Sequence, residues 1–391
     1  MRICFISFEY PPFVFGGAGV YAKRITKELT SFGHEIHVIT PSFLEKTSLS
    51  EKNLFLHYLP IIHNRFLKAP SFWFRLANEY KEIRKSFGGF DILHSNSTSD
   101  FSLTRSQVKE PRVITVHHLA KLVARQVSPL QRLLDLSGET GLLPLIEKEI
   151  VTRADGIIAV SNFTQESLAS VYGVNRAKIT VIPNGVDATE YVFNEEETQG
   201  VKTSLKIGNH FSFLFVGRIN DKRKGLSNLL QSFSILCKEK CKLVKLIVVG
   251  SGDQSFFKNL VNSYGISEQV IFTGFVNDYL LRKIYCASDA YVCPSSLEGF
   301  GLTVLEGMAA GKPIIAYDVG AINELVKNGE NGILLKNHNP QSLAEAMSFF
   351  VDNVELARKL GDKNRKYVAE RFSWKKVAEI TDCLYRRLCC Q

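Results

Sequence analysis

Short runs of β-branched and aromatic residues alternate with amphipathic stretches along the whole of this 391-residue chain. That alternation constrains the fold more than any single motif, because a strand, a crossover helix and a further strand close most readily as a right-handed parallel unit. The first half predicts strands over residues 2–7, 35–40, 91–94, 113–116, 156–160 and 179–182, with helices such as 19–32 and 164–172. A second series follows over 211–216, 245–249, 269–272, 290–292, 313–316 and 332–335. Between them, residues 186–210 are polar, lack apolar periodicity and read as a connection. Two doubly wound series predict an α/β chain with two Rossmann-like domains of parallel sheets, over residues 1–190 and 191–374. The amphipathic tail 375–391 closes the second domain or packs back on the first.

Composition narrows the class. A hydrophobic share of 45% against 22% charged residues suits globular domains that bury sizeable cores. The 48 basic and 39 acidic residues leave a net charge of +9, which fits phosphate-bearing ligands or an anionic surface and selects neither. Nucleic acid is not among the expected partners. The first residues, Met1-Arg2-Ile3-Cys4-Phe5, are too soon interrupted by charge for a secretory leader, and no apolar run has the length of a spanning helix. Cys4, Cys237, Cys241, Cys286, Cys293, Cys383, Cys389 and Cys390 form no C-x-x-C pair, so the expectation is unpaired thiols in a reducing cytoplasm.

Two Gly-rich segments invite misreading. Gly17-Ala18-Gly19-Val20-Tyr21-Ala22 satisfies a loose G-x-G-x-x-A. Its glycines lie beyond the tight turn after the first strand, and no acidic residue ends the second strand to hold a ribose. A loop opening a helix N-terminus towards a phosphate or sugar fits better. Gly307-Met308-Ala309-Ala310-Gly311-Lys312-Pro313 is one residue short of a P-loop and ends in Pro. No Asp-x-Asp pair is present, so neither a metal nor another cofactor is expected; cationic side chains and helix dipoles must neutralise a diphosphate.

Such cations exist. Arg218 follows the first strand of the second series, and Lys222-Arg223-Lys224-Gly225 precedes a helix. Arg supplies a bidentate fork and Lys a point charge. A solvated basic turn is the plain alternative. Further on, Glu298 sits on a loop and Glu306 on the helix after it, with Gly299, Phe300, Gly301 and Leu302 forming a Gly-rich helix start. Helix capping by these carboxylates is the competing explanation.

This run resembles the E-x7-E signature of the family 4 retaining glycosyltransferases, which have the two-lobed GT-B fold with Rossmann-like domains facing each other across a cleft. The resemblance extends over Gly16-Gly17, Thr115-Val116-His117, Val160-Ser161-Asn162, Pro183-Asn184-Gly185, Gly217-Arg218, Lys224-Gly225, Gly250-Ser251-Gly252 and Gly274-Phe275-Val276. It implies transfer of a sugar from a UDP- or GDP-sugar to a sugar, lipid-linked or small-molecule acceptor, in this case without a metal. By resemblance, Arg218 and Lys224 hold the diphosphate, and Glu298 with the backbone around Phe300–Leu302 meets the transferred sugar. Glu306 binds the ribose, Phe275 and Val276 lie against the base, Gly250 and Gly252 line the nucleotide pocket, and Gly17 lets the first lobe approach the diphosphate. His117 faces the sugar as a positioning group. Residues 91–96 resemble the family's Asp-x-x-His-x-His, with Asn96 in the final place. A nucleotide-sugar epimerase or a non-catalytic binder of the same fold is the alternative.

Residues 64–90 interleave Arg65, Lys68, Arg75, Lys81, Arg84 and Lys85 with Phe66, Phe72, Trp73, Phe74 and Phe87. A second stretch, 119–145, is Leu-rich and carries Lys121, Arg125 and Arg132. Basic residues beside exposed aromatics suit docking on the inner face of an anionic membrane, whereas an inward-packed aromatic face is the simpler alternative.

Overall fold

The computed structural model describes every residue except 15, 43–46, 65–66, 105, 127–140 and 391; at 47–51 and 242 it describes the backbone alone. The chain divides into two compact units, Met1–Gly185 with Trp374–Gln391, and Val186–Ser373.

The first unit is built on an eight-stranded sheet: β1 (Arg2–Ser7), β2 (Glu35–Ser42), β3 (Thr47–Glu51), β4 (Leu54–Pro60), β5 (Ile92–Asn96), β6 (Arg112–Val116), β7 (Gly156–Ala159) and β8 (Ile179–Val181). The spatial order is β3-β4-β2-β1-β5-β6-β7-β8, and every pair is parallel except β3 with β4. Alternation along β1 assigns its faces, as a pleated strand must. Ile3 and Phe5 join the core formed with helix Gly17–Ser31, while Cys4 and Ile6 join the core formed with Phe72, Leu76 and Tyr80 of helix Lys68–Ser86.

The β3–β4 hairpin is an addition to the expected strands. β3 reads Thr-Ser-Leu-Ser-Glu, which carries one apolar residue and no hydrophobic signal, and Asn53 turns the chain at φ +61°. The C-terminal helix Trp374–Cys389 lies in the first unit, where Trp374, Val377, Ala378, Leu384, Tyr385 and Leu388 share a core with Ile3, Phe5, Tyr21 and Ile25.

The second unit carries β9 (Phe211–Val216), β10 (Val244–Val249), β11 (Val270–Gly274), β12 (Ala290–Cys293), β13 (Ile314–Tyr317) and β14 (Gly332–Leu335). Their order is β11-β10-β9-β12-β13-β14, and all pairs are parallel. The order reverses between β9 and β12, so the loops leaving these two strands diverge and open a crevice at their carboxyl ends.

The polar stretch after Val186 is not an irregular linker. Asn194 and Glu197 form a capping box that starts helix Glu195–Ser204. Glu197 then holds Lys283 at 3.1 Å and accepts from Tyr279 Oη at 3.0 Å. Only Val201 of this helix is buried, which explains why apolar periodicity was silent there.

Candidate functional site

β9 delivers the first part of the site to the switch point. Beyond Val216 the loop turns at Asp221, whose carboxylate accepts from Arg223 N at 3.1 Å and Arg223 Nε at 3.0 Å through Oδ1. Its Oδ2 accepts from Arg223 Nη2 at 2.8 Å and Arg218 Nη2 at 3.0 Å. Burial opposes ionisation of Asp221, but the Arg223 bonds and the nearby Arg218 charge prevail and hold its pKa below the ordinary value. Arg218 is 45% exposed along its side chain, so it stays open to a ligand while Asp221 aims it.

Lys224 ends the same turn. Its Nζ donates to Glu298 Oε1 at 2.7 Å, across 74 residues of sequence. Burial disfavours the Lys224 charge, yet the Glu298 carboxylate more than offsets this and keeps the ammonium above its usual pKa. Ser295 Oγ donates to the same carboxylate oxygen at 2.8 Å. Both bonds meet Oε1, and Oε2 makes no hydrogen bond among the described residues.

Glu298 precedes helix Leu302–Ala309, which starts at Gly301 without a side-chain cap and has no acidic residue in its first turn. Capping therefore does not account for either carboxylate. Gly301 sits at φ +96°, and a Cβ there would come within 2.8 Å of Ile322 Cδ1. Glu306 is held instead by Tyr285, whose Oη shares its one hydrogen between Glu306 Oε2 at 3.0 Å and Thr303 O at 3.1 Å. The buried Tyr291 phenol feels both Glu298 and Glu306, and its pKa is raised first by burial and then by these and other charges.

The loop after β10 lies directly on the loop after β9. A Cβ added at Gly250 would fall 1.7 Å from Gly217 O, and one at Gly252 would fall 2.0 Å from Asn220 Oδ1. Ile219 N donates to Ser251 O at 3.1 Å across the same approach. Phe275, after β11, is 77% exposed, and Val276 beside it is half-buried. Gly299 and Phe300 are buried, with Phe300 against Phe372. Among the described residues no group of three or more His, Cys, Asp or Glu side chains is placed to hold a metal ion.

The remaining expected residues belong to the first unit. Gly17 is the exposed first residue of its helix, and Gly16 N donates to Glu9 Oε2 at 2.8 Å. His117 follows β6 and bonds through Nε2 to Asn96 Oδ1 at 2.7 Å. Burial, with help from His118, lowers the His117 pKa to about 3, so the ring is neutral near pH 7. Beneath it, His94 Nε2 bonds Thr115 Oγ1 at 2.7 Å and His94 Nδ1 bonds Tyr385 Oη.

Sequence reasoning did not find Asp221, Ser295 or Tyr285. Asp221 stands three residues after Arg218 and Ser295 three before Glu298, so spacing offered a weak signal. Tyr285 offered none, because its link to Glu306 spans 21 residues.

Residues 199–367 match the family of glycosyl transferases group 1, and residues 15–190 match Glycosyltransferase Family 4. An uncharacterized glycosyltransferase of Methanocaldococcus jannaschii is 27% identical over 396 residues, covering 99% of this chain and 98% of that protein. Among solved structures, sucrose-phosphate synthase from Thermosynechococcus elongatus matches with TM-score 0.83 at 24% identity, over 99% of each chain. HepE of Anabaena, solved in complex with UDP-glucose, matches with TM-score 0.77 at 20% identity, over 98% of this chain and 99% of that one. The chain belongs to the family 4, group 1 glycosyltransferases of GT-B fold, and it is a sugar-transferring enzyme.

Proposed function

We propose that this enzyme moves a sugar from a UDP- or GDP-sugar to a sugar, lipid-linked or small-molecule acceptor, with retained anomeric configuration and without a metal ion. The Lys224–Glu298 bridge at the carboxyl ends of β9 and β12 carries the reading. It joins a charge suited to a diphosphate with a carboxylate whose Oε2 is open to sugar hydroxyls. As the bond to the sugar breaks, negative charge grows on the departing phosphate, and Arg218 and Lys224 stabilise it electrostatically. Backbone N–H groups at Gly299, Phe300, Gly301 and Leu302 add donors where helix Leu302–Ala309 begins. Glu306 receives the ribose hydroxyls, the base stacks on exposed Phe275 beside Val276, and Gly250 and Gly252 allow close approach of the nucleotide. Gly17, the first residue of its helix, and His117 are carried over from the family resemblance alone as contacts of the diphosphate and the sugar. The departing phosphate itself takes the acceptor proton, so no protein base is required. Retention rests on the family resemblance.

A thermal-shift panel of UDP- and GDP-sugars tests the donor, because a ligand that binds only the folded state raises the melting temperature by mass action. UDP-glucose comes first, since HepE was solved with it. A panel without any shift would overturn the reading. Transfer that survives exhaustive EDTA treatment supports metal independence, and restoration only by added cation refutes it.

We also propose peripheral docking on an anionic membrane by the first unit. No helix among the described residues is long and apolar enough to cross a membrane. Helix Lys68–Ser86 packs Phe72 inward, and Trp73 lies edge-on to Phe101, so most of its expected aromatic face is internal. Phe74 remains 69% exposed, next to Arg75, and Ile62 and Leu67 at the helix start are exposed too. Arg65, Phe66 and Arg132 lie outside the described residues. Co-sedimentation with anionic vesicles, lost on adding salt or on Phe74→Ser, is expected; no binding at low salt ends the proposal.

A further inference from the structure

We propose that Asn96 is a positioning residue that locks His117 as the Nε2-protonated imidazole, leaving Nδ1 to accept a hydrogen bond from a ligand hydroxyl. The ligand half of this proposal rests on the sugar-transfer reading above; the tautomer half stands on the hydrogen-bond chain alone.

Donors and acceptors in that chain can be arranged in one way. Ser7 Oγ gives its single hydrogen to Glu9 O at 2.6 Å, so it can only accept from Asn96 Nδ2 at 2.9 Å. Ala18 O, a carbonyl, likewise only accepts, and it lies 3.0 Å from the same Nδ2. Two independent acceptors therefore turn the amide nitrogen of Asn96 towards Ser7 and Ala18 and its oxygen towards His117. An amide oxygen carries no hydrogen, so the contact of 2.7 Å requires His117 Nε2 to be the donor. Reversing the amide would set two carbonyl oxygens against each other at Ala18 and leave Ser7 without its donor.

A neutral ring protonated at Nε2 has a lone pair at Nδ1. That atom makes no hydrogen bond among the described residues. The ring plane is fixed by Tyr21, packed edge-on at a centroid distance of 5.0 Å, with Tyr21 Oη in turn bonded to Thr115 Oγ1 at 3.0 Å. The surroundings keep the ring neutral, with a pKa of about 3, so the lock persists through the physiological range. Its chemical consequence is selective. A hydroxyl can donate to Nδ1, whereas a deprotonated phosphate or carboxylate oxygen has nothing to donate. His117 is therefore built to read a sugar hydroxyl and not the diphosphate.

Long-range 1H–15N spectra of histidine-labelled protein test the lock, with His117 assigned by its loss in His117→Gln. Between about pH 5.5 and 8 the expected pattern is a neutral ring protonated at Nε2. A ring protonated at Nδ1, or one titrating near its ordinary pKa, overturns the proposal. Asn96→Asp, which keeps the acceptor and adds a charge, should move the same resonance to a raised pKa; an unchanged resonance in a folded variant also overturns it. The ligand half is tested with deoxy and deoxyfluoro donor sugars, since fluorine cannot donate. At the hydroxyl that meets His117, both analogues should bind about five- to tenfold more weakly than the natural donor, and His117→Ala should erase that difference. Fluorine restoring binding at every position refutes the acceptor role while leaving the spectra to judge the tautomer. Absence of all transfer with any natural donor would instead refute the sugar-transfer reading.

Discussion

Lys224 and Glu306 touch opposite parts of the donor in the proposed site, and their loss should show in different constants. Lys224 faces the charge that grows as the phosphate departs, so Lys224→Ala is expected to lower turnover about 10²- to 10³-fold with a smaller change in donor affinity. Glu306→Ala should weaken donor binding about tenfold, the worth of lost hydrogen bonds to hydroxyls, with turnover at saturation less affected. Steady-state kinetics and donor titrations separate the two, and wild-type-like values in both variants would sink the assignment. Ser295→Ala provides a finer check. Ser295 helps hold Glu298 Oε1 with Lys224, so its removal should cost less than Lys224→Ala and act in the same direction.

The loops carry an equally specific demand at the scale of the element. Gly250 has no room for a side chain because the nearest atom, Gly217 O, is backbone and belongs to the residue that follows β9. Gly250→Ala must push two strand-end loops apart, which should destabilise the second unit by about 1–3 kcal/mol and abolish donor-induced thermal stabilisation. Chemical denaturation and thermal shift measure the two effects. Normal stability together with normal donor binding would show that the loops can separate freely. Gly301→Ala faces the further strain of a left-handed backbone at the start of the helix that carries Glu306.

Across the whole molecule, the chain passes from the first unit to the second and returns for its last helix. The outgoing and returning segments lie side by side: Val186 N donates to Phe372 O at 2.6 Å, and a Cβ on Gly185 would meet Trp374 at 2.8 Å. Trp374→Ala removes a buried anchor from the core shared with Tyr21 and should cost about 3–5 kcal/mol in the first unit. The same helix brings Tyr385 to His94, whose pKa is lowered to about 3 by burial and then by His117. A base whose folded pKa lies below its unfolded value takes up its proton first in the unfolded chain, so acid favours unfolding. With His94 and His117 both at about 3, stability should begin to fall as pH drops below about 6.5, by up to about 1.4 kcal/mol per pH unit for each histidine. Urea midpoints at descending pH test this, and a flat profile down to the carboxylate range would refute it.

Local pattern was enough to show two parallel α/β series, because a strand or helix announces itself through side-chain periodicity within a few residues. The Gly-rich and charged loops at 217–225 and 294–302 were legible for the same reason: each follows a strand whose end places it at the carboxyl edge of the sheet. β3 and helix Glu195–Ser204 were not, since one offers a single Leu and the other a single buried Val, whereas β4, with Leu54, Phe55, Leu56, Tyr58 and Leu59, carried an apolar run that the expected strands passed over. Tertiary structure alone decided that Lys224 meets Glu298, that Asp221 gathers two guanidinium groups, that Asn96 orients its amide towards His117, and that the last helix returns to the first unit. Hydrogen-bond partners separated by tens or hundreds of residues depend on where whole backbones run, and periodicity does not encode that.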